Sequence, residues 1–246
     1  MQSTLSQWLG GPLTCPTGSP IEELLIRSSS GKGITPKIND LLQEQLCDPL
    51  LKVKKHWAGD LAIDISPEDW KSCLDNINTI YKEMGNRFIQ LKIIHRWHRT
   101  PQQLYKWNLI PADSCWRCDR SGASILHILW TCPALKDWWN NIHQIMFEVL
   151  HKSFQISAKL AILGSTTELQ DNDFSCFEKR WIILALTTAK RILLRHWRKT
   201  YPPPYEEWTT TMAQLAAYER VTYSLLDKLD QFMFTWSPFT DWLSAS

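Results

Sequence analysis

From about residue 36 onward, apolar side chains recur at helical spacing, with polar residues between them. Ser66, Pro67, Glu68 and Asp69 predict a helix start: a hydroxyl cap, a proline at the first helical position, and acids near the positive end of the helix dipole. Trp70, Leu74, Ile77 and Tyr81 follow as its apolar set. Over residues 86–98, Phe88, Leu91, Ile94 and Trp97 fall at three-residue steps and predict one apolar face. Thr100-Pro101 starts a short helix through Trp107. Pro133 starts another that runs to about Ser153, with Leu135, Trp138, Trp139, Ile142, Ile145, Met146 and Val149 apolar. Residues 174–200 read as the longest helix. Its run from Trp181 to Leu186 is apolar all round, which marks it as buried. Three prolines, Pro202 to Pro204, stop it. A second long helix is expected from about Tyr205 to Phe234, with Ser237-Pro238 capping a last short turn. The predicted fold class is mainly α, an irregular multi-helix bundle.

Residues 1–35 lack this pattern and are rich in Ser, Gly, Thr and Pro, so they read as a flexible N-terminal segment. Residues 36–111 then form a helical segment and 112–246 a Cys-rich helical domain. Scarce glycine (9) and proline (13) in 246 residues argue against a many-stranded sandwich or barrel. With 27 basic and 25 acidic residues the chain is near neutral, neither a polybasic tail nor an acidic buffer. The outlier is tryptophan: 14 residues, several times ordinary usage, in a ring type that favours cores, interfaces and stacking platforms. No apolar run is long enough to span a membrane. The N-terminus lacks a basic start and an apolar stretch, so a secreted protein is not expected and its cysteines read as free thiols or metal ligands.

Four residues carry the sharpest chemistry: Cys115, Cys118, His127 and Cys132, in the pattern C-x2-C-x8-H-x4-C. Two thiols on a tight turn can bite one ion, and a histidine and a cysteine on a following helical segment can close a tetrahedron. Three thiolates and an imidazole would satisfy Zn²⁺ with no open position, so the site would be structural. The loop of eight is longer than the four of a retroviral zinc knuckle, so the element is at most knuckle-like. The competing reading is a Cys-rich helical hairpin with His127 and Cys132 packed in its core. Cys15, Cys47, Cys73 and Cys176 are isolated.

Two windows concentrate positive charge without any acid. One holds Arg87, Lys92, Arg96, Arg99 and Lys106; the other holds Lys190, Arg191, Arg195, Arg198 and Lys199. Interleaved with Trp97, Trp107 and Trp197, they suit a nucleic-acid backbone, with Trp97, Trp107 and Trp116 as the rings expected to stack on bases. Solvated helix faces with core tryptophans are the alternative. Catalytic patterns are missing: the GKG at 31–33 lacks P-loop spacing, and no G-x-S-x-G elbow or Asp-Asp pair occurs.

The ordered block LKIIHRWHRTPQQLYKW, CWRC and LHILWTCPALKDWW, with IDISPEDWKSCLDNI upstream, resembles the C-terminal part of the reverse-transcriptase polyprotein of LINE-type non-LTR retrotransposons. The resemblance covers most of residues 55–245 and is strongest at 87–140. It implies a Cys-rich segment downstream of a polymerase that contacts RNA or DNA, with Cys115, Cys118, His127 and Cys132 matching the family's proposed zinc-binding set. It also implies a nuclear or cytoplasmic location. Without polymerase or endonuclease motifs, the chain is expected to be a non-catalytic fragment of such an element. The alternatives are a tryptophan-rich module that docks on protein, such as the retrotransposon polymerase, and a transposon remnant with no selected function.

Overall fold

A computed structural model describes residues 20–27, 33–45, 50–172 and 174–245. Cys15, Cys47 and most of the expected flexible segment lie outside them. The chain divides into two compact units, Met1–Lys52 and Val53–Ser246. In the first, helix α1 (Pro20–Arg27) packs on α2 (Ile34–Gln45). Part of the segment expected to be flexible is therefore helical: Glu22 and Glu23 lie in the first turn of α1, where the helix dipole favours acids.

The second unit holds most of α3 (Leu51–Leu61), then α4 (Pro67–Thr79), α5 (Met84–Ile94), α6 (Pro101–Lys106), α7 (Lys136–Leu150), α8 (Cys176–Arg195), α9 (Tyr205–Leu225) and α10 (Leu229–Ala245). Single π turns occur at His127–Thr131 and Lys159–Leu163. Among the described residues there is no strand, so the fold is mainly α. The expected boundary near residue 112 is absent. Helices α5 and α8 pack directly on one another across it.

The helix starts follow the sequence cues. Ser66 Oγ accepts from the Asp69 amide at 2.9 Å, and Thr100 and Ser175 both form capping boxes. Helix α8 is the pillar. Every residue from Trp181 to Lys190 is buried, because α5 and the 159–163 turn cover one side while α9 and α10 cover the other. Much of the tryptophan is spent here. Trp208 donates to the Ala185 carbonyl at 2.9 Å and Trp57 to that of Ile94 at 2.8 Å, so each ring fills core while its N–H ties two elements together. Phe239 gathers Trp181, Trp208, Trp236 and Trp242 around it.

Four sequence expectations are corrected. On α5 the buried residues are Asn86, Gln90, Ile93 and Ile94, while Phe88 is exposed. Strict three-residue spacing drifts around a helix of 3.6 residues per turn, and the inward polar pair is invisible to a hydrophobic pattern. Gln90 faces in because its amide donates to the carbonyls of Ile162 and Leu163 in the second π turn. Next, the helix expected from Tyr205 to Phe234 is two helices. Asp227 takes a left-handed conformation (φ 53°) and Lys228 N–H closes on the Tyr223 carbonyl at 2.9 Å, which ends α9. Pro238 then lies inside α10 and does not start a last turn. Finally, α9 with 21 residues is slightly longer than α8 with 20.

Candidate metal centre and basic faces

Asp113 and Ala123 are joined by a backbone hydrogen bond of 3.0 Å, which brackets the loop that carries Cys115 and Cys118. Within it, Cys115 N–H donates to the Arg120 carbonyl and Asp119 N–H to that of Cys115, both at 2.9 Å. Asp119 and Gly122 take positive φ, 55° and 72°, so the chain turns back sharply and presents both thiols to one point. Ser124 then caps the next helical segment through the His127 amide.

The π turn solves a geometric problem. In an α-helix, residues five apart point about 140° away from each other. Here Cys132 N–H bonds the His127 carbonyl at 3.0 Å, an i to i+5 closure that sets Cys132 beside His127 along the axis. As a result the ligand atoms of Cys115, Cys118, His127 and Cys132 all lie within 4.8 Å of one another. Cys115 Sγ and Cys132 Sγ are 3.8 Å apart, and Cys118 Sγ is 3.3 Å from His127 Nε2. Two sulfurs each about 2.3 Å from one tetrahedral ion would sit about 3.8 Å apart. The cluster can therefore hold one metal ion. Burial, with Arg120 and Arg117 nearby, lowers the His127 pKa and keeps the imidazole neutral, the form that binds a metal. Burial, with the adjacent Cys115, pushes the Cys132 thiol up to about 12; a bound cation reverses that preference.

Arg117, between the two first cysteines, was not singled out by sequence. Its guanidinium leaves the loop and donates to the carbonyls of Ile128, Leu193 and His196 at 3.0, 3.2 and 3.3 Å. Trp116, expected to stack on bases, is half-buried and packs edge-on against Trp197, ring centres 5.3 Å apart.

The two basic windows separate sharply. In the first, Lys92, Arg99 and Lys106 are exposed, and among the described residues no carboxylate pairs with them. Arg99 lies 4.8 Å above the Trp107 ring, and Trp97 and Trp107 are 63% and 49% exposed. Arg87 bonds Asn78. Arg96 is drawn inward: it pairs with Asp60 at 2.7 Å and lies over Trp57. In the second window Lys190 is not a surface residue at all. It is 1% exposed and donates to Gln90 Oε1 at 2.5 Å and the Ile162 carbonyl at 3.1 Å. A basic run on a helix buried on every side must place some cation inside. Arg191 and Arg195 pair with Glu83 and Glu207, whereas Arg198 and Lys199 are exposed.

Compared with models of known protein families, the chain matches none. Among the described residues, no helix is long and apolar enough to cross a membrane.

Proposed function

We propose that the chain is a non-catalytic nucleic-acid-binding module of the kind found at the C-terminal end of LINE-type reverse transcriptases, stabilised by Zn²⁺ on Cys115, Cys118, His127 and Cys132. One observation carries the nucleic-acid reading. Among the described residues seven tryptophans are buried, whereas Trp97 and Trp107 stand in solvent beside Lys92, Arg99 and Lys106, with which no carboxylate there pairs. Exposed rings among free cations suit a single strand, whose phosphates meet the cations and whose bases stack on the rings. Zinc is favoured because three thiolates and an imidazole form a closed, soft donor set. The four ligands leave no position for a substrate, so the metal would hold structure.

Fluorescence anisotropy of a labelled single-stranded RNA of about twenty nucleotides, titrated across salt, tests the reading. Arg99→Ala with Trp107→Ala is expected to weaken binding at least about tenfold and to flatten the salt slope by about one. Unchanged affinity and slope would sink it. A protein-docking module is the second reading, favoured by the α9–α10 junction, where Leu225 and Phe234 are 81% and 63% exposed. RNA-independent self-association in size exclusion would support it.

A further inference from the structure

A cleft of about 1050 Å³ opens between α5, the end of α8, and α9, at the upper end of the sizes that hold small ligands, about 300–1,000 Å³. Its wall carries two kinds of group. Trp197 and Tyr218 are aromatic, and Tyr218 is 50% exposed. His98, Arg191, Arg195 and Gln214 are polar. The Arg191 guanidinium is held by Glu83 at 2.8 Å, whereas the Arg195 side chain, although 3.2 Å from Glu207, remains 52% exposed.

Two further details point to a ligand. His98 lines the cleft where the chain turns away from α5. Burial, with Lys92 nearby, lowers the His98 pKa to about 4, so the ring is neutral and offers one donor and one acceptor. Trp197 also packs edge-on against Trp116 of the cysteine loop and lies under Arg198, contacts that restrain the ring. An indole, a second ring, a half-exposed guanidinium and a neutral imidazole make up the recognition set for a base with its phosphate.

We infer that this cleft takes one unstacked nucleotide of a bound single strand, with the base against Trp197 and Tyr218, its edge read by His98 and Gln214, and its phosphate at Arg195. The inference rests on the nucleic-acid reading above and assigns it a second contact point, distinct from Trp97 and Trp107.

The test uses two probes, 2-aminopurine riboside monophosphate alone and a single-stranded RNA carrying one 2-aminopurine, each with a DNA counterpart. Stacking in the cleft quenches the probe. Tyr218→Ala and Arg195→Gln, each checked for helicity and melting, are expected to weaken monophosphate binding about five- to a hundredfold. They should also abolish quenching in the strand, while Arg99→Ala with Trp107→Ala weakens the strand and leaves the monophosphate unchanged. RNA and DNA probes that respond alike place recognition on base and phosphate; a selective response adds the 2′-hydroxyl to it. Monophosphate binding that is absent, or indifferent to both cleft variants, overturns the inference even where the strand still binds. Conversely, a monophosphate that binds through Tyr218 and Arg195 while strands bind no more tightly supports the cleft and overturns the broader reading.

Discussion

Arg117 donates to the Leu193 carbonyl at 3.2 Å, and this contact fastens the cysteine loop to the last turn of α8. The end of a helix leaves carbonyls without intrahelical partners, and a cation is favoured there. Arg117 supplies both hydrogen bonds and charge to Leu193 and His196, and reaches the π turn through Ile128 in the same gesture. A Zn²⁺ with three thiolates and a neutral imidazole would carry one net negative charge, so the same guanidinium also balances the proposed metal centre. Arg117→Ala is expected to cost about 2–4 kcal/mol in urea unfolding. Arg117→Lys, with no fork to span three acceptors, should recover only part of that.

Metal content is the direct check on the cluster. Protein from zinc-supplemented cells is expected to carry about one zinc per chain. Cys118→Ser with Cys132→Ser should carry none and melt at lower temperature, followed by elemental analysis and circular dichroism. Chelation of the unsubstituted protein should reproduce the shift. A metal-free protein with an unaltered melt in the variant would reduce the four residues to packing.

Lys190 makes stability depend on pH. Burial lowers its pKa to about 7, so above that value the unfolded chain binds a proton that the folded chain lacks. The contribution of this group therefore rises with pH, by up to about 1.4 kcal/mol per unit, and levels off below about 7. Cys73 acts in the opposite sense at higher pH. Burial pushes its thiol up to about 12, so the unfolded thiol ionises first and favours unfolding above about pH 9. Denaturation between about pH 7 and 8.5 isolates the lysine. Lys190→Met is expected to remove the slope in that window and leave RNA affinity unchanged.

Glu219 is fully buried and accepts from Arg180 Nη2 through both oxygens, at 2.6 and 2.8 Å, and from the Trp236 indole at 2.8 Å. It joins α8, α9 and α10. Glu219→Gln keeps the shape and removes the charge, leaving the Arg180 cation uncompensated in a site where its side chain is 12% exposed. A loss of about 3 kcal/mol is expected in chemical denaturation, with little change in helicity below the transition.

Sequence patterning found the elements that bury apolar faces and end on chemical signals. Leu135, Trp138, Trp139, Ile142, Ile145, Met146 and Val149 are all buried, as the spacing from Pro133 predicts. It failed where polar groups face inward. Gln90 and Lys190 look like surface residues until the π turn at 159–163 is known, because they donate to its carbonyls, and Asn86 does so until Arg191 of α8 is brought beside its side-chain oxygen. The four cluster residues were legible from their spacing. What makes them converge, an i to i+5 closure between His127 and Cys132, was not, since nothing in HILWT distinguishes a π turn from an α turn. The cleft was illegible for the same reason: it is assembled from three helices distant in sequence.

The cover of α8 arrives in two instalments. Helix α5 and the 159–163 turn precede it in the chain, whereas α9 and α10 follow. On the ribosome the helix therefore emerges with half of its greasy surface bare, and Trp181 does not meet Phe239, 5.9 Å away in the finished fold, until α10 has cleared the exit tunnel. Chains paused or cut short within this stretch present a long apolar helix to solvent, the kind of nascent species that chaperones hold and proteases remove. The α9–α10 pair is thus the part of the chain that finishes the burial of α8.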